Sequence, residues 1–378
     1  MAEEMTAAQG SYPECALPAG VERLERPARL ARATALAFLR FQKPDLDAVY
    51  RFLTDFGMEP VSRTEREIIV RGAGAAPCLC IVEKGPRSRF VGTAFVMAPD
   101  TDFAGLERLP GARRLAPSQI PGGGRGVELI DPAGNAAWLI TDWLPVKPLR
   151  MRASLEGVVN TPDSKPRVNA GIRPPAPAPL VARLGHLVLQ VTDFPAMAAW
   201  YMRHLGLVPS DVQYLADGSP ALTFFRLDLG AEPADHHTLV LLAGIEDGFE
   251  HSAYEMIDLD AIGQRQQVLL AGGHRHMWGL GRHMLGSQLF NYWRDPDGIQ
   301  FEHYADGDVF TADYEPRYSP FTPGSIWAWG QDAPPALRGK PSPAMIWRVV
   351  KAVVTGRIPL PRLKLLGQAL SLPARPWL

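Results

Sequence analysis

The chain has 378 residues, of which 46% are hydrophobic and 21% charged, and its formal net charge is −1. This length predicts two or three folded domains, and the balanced charge argues against a nucleic-acid partner. The three cysteines are too few for a disulfide framework and favour a reducing, cytoplasmic location. We expect no membrane span, because no apolar run reaches the roughly 18 residues required, and no export signal, because the N-terminus is acidic.

The first part of the chain predicts a domain that mixes strands and helices. Residues 1–30 contain prolines and little periodicity, which is typical of an irregular arm. Apolar periodicity then predicts a strand, a helix that ends at Gly57, three short strands, a short helix and a final pair of strands over residues 31–145. Residues 146–180 are rich in proline and predict a linker or surface strap.

Residues 181–306 repeat the order of elements found in the first domain. Leu36-Ala-Phe-Leu aligns with Leu184-Gly-His-Leu, and the turn Asp131-Pro-Ala-Gly aligns with Asp295-Pro-Asp-Gly. An internal repeat of this kind predicts two similar domains in tandem.

The second copy has polar residues at mid-strand positions where burial is expected. Glu302 follows the Asp-Pro-Asp-Gly turn on an apolar strand, and a buried carboxylate without a partner is costly. His186 and His251 occupy similar positions on two other predicted strands. The aligned positions of the first copy hold residues that cannot bind a metal: Phe38, Gly92 and Trp138.

Two imidazoles and one carboxylate leave open coordination positions on one side of a metal ion, as in non-haem Fe(II) oxygenases. We therefore predict a metal site formed by His186, His251 and Glu302. Ligand type alone does not separate Fe(II) from Mn(II).

Several short motifs in the second domain occur together, in a characteristic order and spacing. They are LGHLVLQVTDF (184–194), DHHTLVLL (235–242), EHSAYEM (250–256), GRHMLGSQLFNYWRDPDG (281–298) and FEHY (301–304). In these motifs the chain resembles the type I extradiol ring-cleaving dioxygenases of the vicinal oxygen chelate superfamily. The resemblance implies an α+β fold of tandem βαβββ modules, which form two domains with mixed, curved sheets, the first without metal.

The resemblance also implies roles for individual residues. His186, His251 and Glu302 match the Fe(II) ligands, and His237 matches a histidine that exchanges protons with the substrate and assists oxygen activation. A neutral histidine is a suitable acceptor for a catechol proton near pH 7. The remaining matches, expected to contact substrate oxygens, are His283 and Tyr292.

Predictions are also made for three further residues near these motifs. Tyr254 is expected to line the substrate pocket, while His236 is expected to point away from His237. His303 is expected to face outward from its strand.

The implied substrates are an aromatic diol of the catechol type and O2, with ring cleavage beside the two hydroxyl groups and Fe(II) as cofactor. The resemblance also suggests a homo-oligomer. Two alternatives remain open: a metal-dependent isomerase or epimerase of the glyoxalase kind, and a metal-free protein that binds small molecules in antibiotic resistance.

The last part of the chain, residues 307–378, lies outside these motifs. No acidic residue follows Asp332, and residues 344–355 predict an amphipathic helix. We consider two roles for this extension, namely an arm packed on its own domain or a neighbouring subunit, and a contact with a membrane surface.

Overall fold

Two mixed β-sheets, one from each copy of the repeat, contain most strands of the computed structural model. It describes residues 12–155, 157, 159–323, 326–332, 334 and 343–372. The α+β fold of tandem βαβββ modules is confirmed.

The first sheet has eight strands in the order β2-β3-β4-β1-β5-β8-β7-β6. Its first module contains β1 (Ala33–Lys43), α1 (Leu46–Phe56), β2 (Glu59–Arg63), β3 (Glu67–Arg71) and β4 (Cys80–Lys84). Its second module contains β5 (Arg89–Met97), α2 (Phe103–Glu107), β6 (Arg113–Leu115), β7 (Arg125–Ile130) and β8 (Ala136–Thr141). A single 3₁₀ turn, Pro117–Gln119, separates β6 from β7.

The second sheet has ten strands in the order β19-β10-β11-β13-β9-β14-β17-β16-β15-β20. Its first module contains β9 (Arg183–Val191), α3 (Phe194–Leu205), β10 (Val208–Tyr214), β11 (Pro220–Arg226), β12 (Ala234–Asp235) and β13 (Leu239–Ala243). Its second module contains β14 (Gly248–Glu255), α4 (Leu259–Ala271), β15 (Arg275–Arg282), β16 (Leu289–Arg294) and β17 (Gln300–Ala305).

The hairpin that ends the second module forms as predicted. Asp295 Oδ1 accepts hydrogen bonds from the amides of Asp297 and Ile299, and Gly298 has a φ of 94°. Only glycine adopts this φ without strain, so the turn fixes the register of β16 on β17. Tyr292 and Glu302 are paired residues across that register.

Within the two copies, four strands of three or more residues were not predicted from the sequence: β2, β6, β10 and β15. They include residues that are poor strand formers, such as Pro60 in β2, Pro209 in β10 and two glycines in β15. Partner strands on the sheet supply the hydrogen bonds that local propensity does not favour.

Buried polar contacts connect the two copies. The Lys43 ammonium of β1 forms an ion pair with Asp295 in the turn of the second copy, and both side chains are buried. Reciprocally, the Tyr201 hydroxyl of α3 donates to Asp131 in the turn of the first copy, at 3.1 Å. A side chain of each copy therefore binds the aspartate in the hairpin turn of the other copy.

The C-terminal extension adds strands to both edges of the second sheet. It contains β18 (Val309–Phe310), β19 (Arg317–Pro320), β20 (Trp329–Gly330), α5 (Pro343–Val354) and α6 (Leu360–Ser371). β19 pairs with β10, and β20 pairs with β15. Among the described residues, none of the helices has the length and apolar content needed to cross a membrane.

Candidate metal centre

Three neighbouring strands of the second sheet bring the predicted ligands together. His186 lies on β9, His251 on β14 and Glu302 on β17, and one ligand atom from each lies within 4.8 Å of the others. Glu302 Oε2 is 3.3 Å from His186 Nε2 and 3.2 Å from His251 Nε2. The role of these residues as ligands stays a prediction, but their convergence satisfies its geometry.

Burial and charge set the protonation of the cluster. Burial by itself would raise the pKa of Glu302, but the three histidines around it lower that pKa well below its usual value. Burial lowers the pKa of His186, against the opposing effect of Glu302. Near neutral pH, the cluster therefore holds an ionised carboxylate beside a neutral imidazole, which are the protonation states that bind a metal.

The donor atoms fit a divalent metal ion. Glu302 Oε2 is fully buried, and no described residue gives it a hydrogen bond of good geometry despite the two nearby imidazole nitrogens. A buried carboxylate oxygen is normally satisfied, so its position between two Nε2 atoms suits a cation. Two nitrogens and one oxygen leave open positions for substrate on such an ion.

His237 lies two residues before β13, against the predicted ligand His186. The ring centroids of these two histidines are 4.0 Å apart. Burial, with repulsion from nearby imidazoles, lowers the pKa of His237 well below its usual value. The side chain is therefore neutral near pH 7, the form that accepts a proton.

The prediction that His236 points away from His237 is wrong. The two Nδ1 atoms are 2.8 Å apart, and His236 Nε2 is 2.5 Å from Asp211 Oδ2 on β10. Because a carboxylate only accepts, His236 donates its Nε2 proton to Asp211. In the neutral form, His236 then accepts from His237 Nδ1, which leaves His237 Nε2 unprotonated.

Sequence reasoning missed Asp211 altogether. The signal was present, since Asp211 is a carboxylate within the run VPSDVQY, and the structure buries it in β10. This is the same anomaly that identified Glu302.

Tyr292 lies on β16, and His283 directly follows β15. In the sheet, these strands lie on the other side of the three ligand strands from β13, which follows His237. His283 Nε2 is 3.0 Å from the Tyr292 hydroxyl and 3.3 Å from Glu302 Oε1. Its Nδ1 donates to the carbonyl of Ile326, in the C-terminal extension, at 2.5 Å. Burial and the nearby Glu302 carboxylate raise the pKa of Tyr292 well above its usual value.

The prediction that Tyr254 lines the substrate pocket is wrong. Its side chain is fully buried, with its ring stacked on Phe301 at 5.7 Å and packed edge-on against Phe56. The Ser252 hydroxyl donates to the Tyr254 oxygen at 3.2 Å. Tyr254 thus lies on the face of β14 opposite His251 and belongs to the apolar core.

The prediction that His303 faces outward is also wrong. His303 is fully buried, stacks on Phe56 with centroids 3.7 Å apart, and donates from Nε2 to the Phe56 carbonyl at 2.7 Å. Burial lowers its pKa to about 3. The strand face opposite Glu302 is covered by α1 of the other copy, which the sequence pattern did not reveal.

Apolar side chains form two walls beside the polar cluster. One wall packs around Phe224, whose ring centroid is 5.1 Å from that of His237. The other contains Trp278 and Phe290, which stack against Tyr292 and His283 respectively. The first wall comprises Val188, Leu222, Phe224, Val240 and Leu285.

A protein-family model matches residues 183–303, the part of the chain that holds the cluster; its description is the Glyoxalase/Bleomycin resistance protein/Dioxygenase superfamily. Metapyrocatechase 2 from Cupriavidus necator is 29% identical over 294 residues, which are 77% of this chain and 87% of that protein. An iron-dependent extradiol dioxygenase from Rhodococcus jostii is 32% identical over 133 residues, or 33% of this chain and 43% of that one.

The fold is similar to that of a solved structure. The Mn(II)-bound glyoxalase from Novosphingobium aromaticivorans superposes with a TM-score of 0.66 at 23% identity, and the match covers 83% of this chain and 96% of that chain. Its similarity concerns the fold. In sequence, the chain is a homologue of Metapyrocatechase 2.

Proposed function

We propose that the chain is an Fe(II)-dependent extradiol dioxygenase that cleaves a catechol-type aromatic diol beside its hydroxyl groups, in the degradation of aromatic compounds. The observation that supports this most is the convergence of His186, His251 and Glu302 on one buried point. The similarity to Metapyrocatechase 2 and to an iron-dependent extradiol dioxygenase agrees with it.

In this proposal, His186, His251 and Glu302 would hold the iron. When bound, the ion lowers the pKa of a coordinated hydroxyl group and holds the diol and O2 together. The fixed positions of the three strands would keep the ligand geometry constant during turnover.

His237 would accept a proton from the diol. Its neutral state follows from burial, and the chain from Asp211 through His236 leaves its Nε2 atom free as the acceptor. Asp211 and His236 would act as positioning residues, since they set which nitrogen of His237 holds the proton.

Tyr292 and His283 would contact the oxygen atoms of the reacting diol. The raised pKa of Tyr292 keeps its phenol protonated, so it can donate a hydrogen bond where negative charge develops. His283 is held in one orientation by the Ile326 carbonyl, with its Nε2 atom beside the Tyr292 hydroxyl.

The apolar walls support a diol with a hydrophobic substituent as substrate. Phe224, Leu285 and Val240 offer no charged partner for a substituent carboxylate. The free cysteines Cys15, Cys78 and Cys80 support a reducing cytoplasmic location. The proposed homo-oligomer rests on the family resemblance alone.

Metal analysis combined with oxygen uptake tests the proposal. The chain is purified without oxygen and loaded with Fe(II) or Mn(II), and then given catechol, 3-methylcatechol or a bulkier 3-substituted catechol. We expect one equivalent of metal, O2 consumption and a coloured ring-opened product. Isomerisation of a methylglyoxal hemithioacetal without O2 uptake would favour the glyoxalase alternative. Tight binding of an aromatic compound by metal-free protein, with no turnover, would favour the resistance protein.

A further inference from the structure

Helix α5 of the C-terminal extension exposes an apolar face to solvent. Ile346, Trp347, Val350 and Val354 are 52%, 64%, 54% and 79% exposed, respectively. At 100° per residue, these four positions lie within an arc of about 100° on one side of the helix. We call them the α5 apolar face.

The opposite side of α5 is fixed to the second domain. Ala352 is buried, and Ile358, just after the helix, is buried in the main apolar core. Arg348 forms an ion pair with Glu246, in the loop between β13 and β14. These contacts fix which side of α5 points outward, so the apolar face is presented to solvent by a folded support.

The charged residues of the helical part of the extension have one sign. Residues 343–372 contain five basic and no acidic residues. Lys351 lies beside the arc, with its ammonium 5.2 Å from the Trp347 ring. Arg357 and Lys364 are exposed further along the extension.

This combination of charge and apolar surface selects the occupant. A second copy docked through the same face would bring cations against cations, because an isologous interface pairs a surface with itself. An anionic lipid surface satisfies both features, since it accepts apolar side chains at the interface and attracts basic residues around them. Tryptophan, the largest residue of the face, is favoured at the interface of a bilayer.

We propose that the α5 apolar face docks the protein on an anionic membrane surface. The helix would lie in the plane of the headgroups, with Trp347, Val350 and Val354 inserted and Lys351 beside the lipid phosphates. The proposal does not depend on the chemistry proposed for His186, His251 and Glu302, because these residues lie on strands of the second sheet and not on α5.

Co-sedimentation of the full-length, metal-loaded protein with vesicles tests this assignment. The probe vesicles are phosphatidylcholine mixed with phosphatidylglycerol, compared with phosphatidylcholine alone. We expect binding to the mixed vesicles, weaker binding to the neutral ones, and a loss of binding as salt screens the lysine and arginine charges.

Two surface variants and two matched controls locate the contact. Trp347→Ser is expected to weaken binding by about tenfold or more, because it removes a large interfacial side chain. Lys351→Gln is expected to weaken binding by about fivefold, the effect of one basic residue near an anionic surface. The controls, expected to bind as the parent does, change residues with similar exposure in other parts of the chain: Leu144→Ser and Lys165→Gln.

Sedimentation velocity separates the membrane from a protein partner. Two results together would overturn the proposal: the parent protein binds neither kind of vesicle, and Trp347→Ser converts an oligomer to a smaller species. The face would then be a subunit interface. Equal binding of parent and Trp347→Ser to mixed vesicles would also overturn it. Unchanged thermal unfolding of the variant would show that any loss reflects the surface and not the fold.

Discussion

The two copies of the repeat place different chemistry on the same strand register. In the second copy, His186 pairs with Ala253 and Ala253 with Glu302. In the first copy, Phe38 pairs with Ala94 and Ala94 with Trp138. The alignment of Phe38 with His186 and of Trp138 with Glu302 is therefore confirmed by backbone pairing.

The first copy fills the equivalent region with packed apolar side chains. Phe38 and Trp138 meet edge-on with centroids 6.0 Å apart, and both are buried. Cys78 is also buried there and occupies the position equivalent to His237. The amide of Leu39 donates to the carbonyl of Leu79, the residue after Cys78, and the amide of Leu187 donates to the carbonyl of Thr238, the residue after His237. The comparison teaches that this sheet accepts either a polar cluster or a closed core, and that a few side chains decide which.

The largest expected effect comes from removing the carboxylate of the second copy. Glu302→Ala is expected to abolish both metal binding and ring cleavage, because it removes the charged member of the ligand set. Metal content per chain and O2 uptake with catechol measure the two losses. Trp138→Phe, the equivalent position in the first copy, is expected to keep both, and full activity in Glu302→Ala would disprove the site.

Removing the proposed proton acceptor is expected to have the next largest effect. His237→Ala should retain metal and lower kcat by about 10²–10⁴-fold, the usual contribution of a general base. Steady-state kinetics with metal analysis checks this. Cys78→Ala, at the paired position of the first copy, is expected to leave kcat unchanged. Loss of metal in His237→Ala would instead identify His237 as a ligand.

A smaller loss is expected at the phenol. Tyr292→Phe should keep the metal and lower kcat by about 10²-fold, since it removes one donor to developing charge. Glu128 is the register equivalent of Tyr292, paired with Trp138 as Tyr292 is with Glu302. Glu128→Gln provides the control, and an equal effect of the two changes on kcat would contradict a role in the reaction.

The smallest expected effect concerns stability at Gly92, where the first copy has no room for a side chain. A Cβ atom there would lie 2.1 Å from the Ala136 carbonyl oxygen, a backbone atom that cannot move aside freely. Gly92→Ala is expected to lower the free energy of unfolding by about 1–3 kcal/mol, as overpacking does. Denaturant unfolding of metal-free protein measures this. His251→Ala, at the equivalent position, should cost less, and an unaffected Gly92→Ala would refute the steric explanation.

The metal cluster could be predicted because its residues break a local rule. His186, His251 and Glu302 are polar residues on strands that bury their neighbours, and the repeat supplied apolar counterparts for comparison. Tyr254 could have been placed correctly too, since it is three residues after His251 and strict alternation puts the two on opposite faces.

Other features depend on contacts that no local pattern contains. The carbonyl of Ile326 that orients His283 comes from the C-terminal extension, where every residue offers the same backbone group. The burial of His303 depends on α1 of the first copy. The strands β10 and β15 contain weak strand formers, and they form because β11 and β16 supply their backbone hydrogen-bond partners.

The reciprocal contacts of the two hairpin turns have a consequence for how the molecule loses its structure. If the first copy unfolded alone, Asp295 would lose its Lys43 partner at the base of the strand that holds Glu302. Breaking a buried ion pair from one side costs about 3–5 kcal/mol. The two sheets are therefore expected to unfold as one cooperative unit, in a single calorimetric transition.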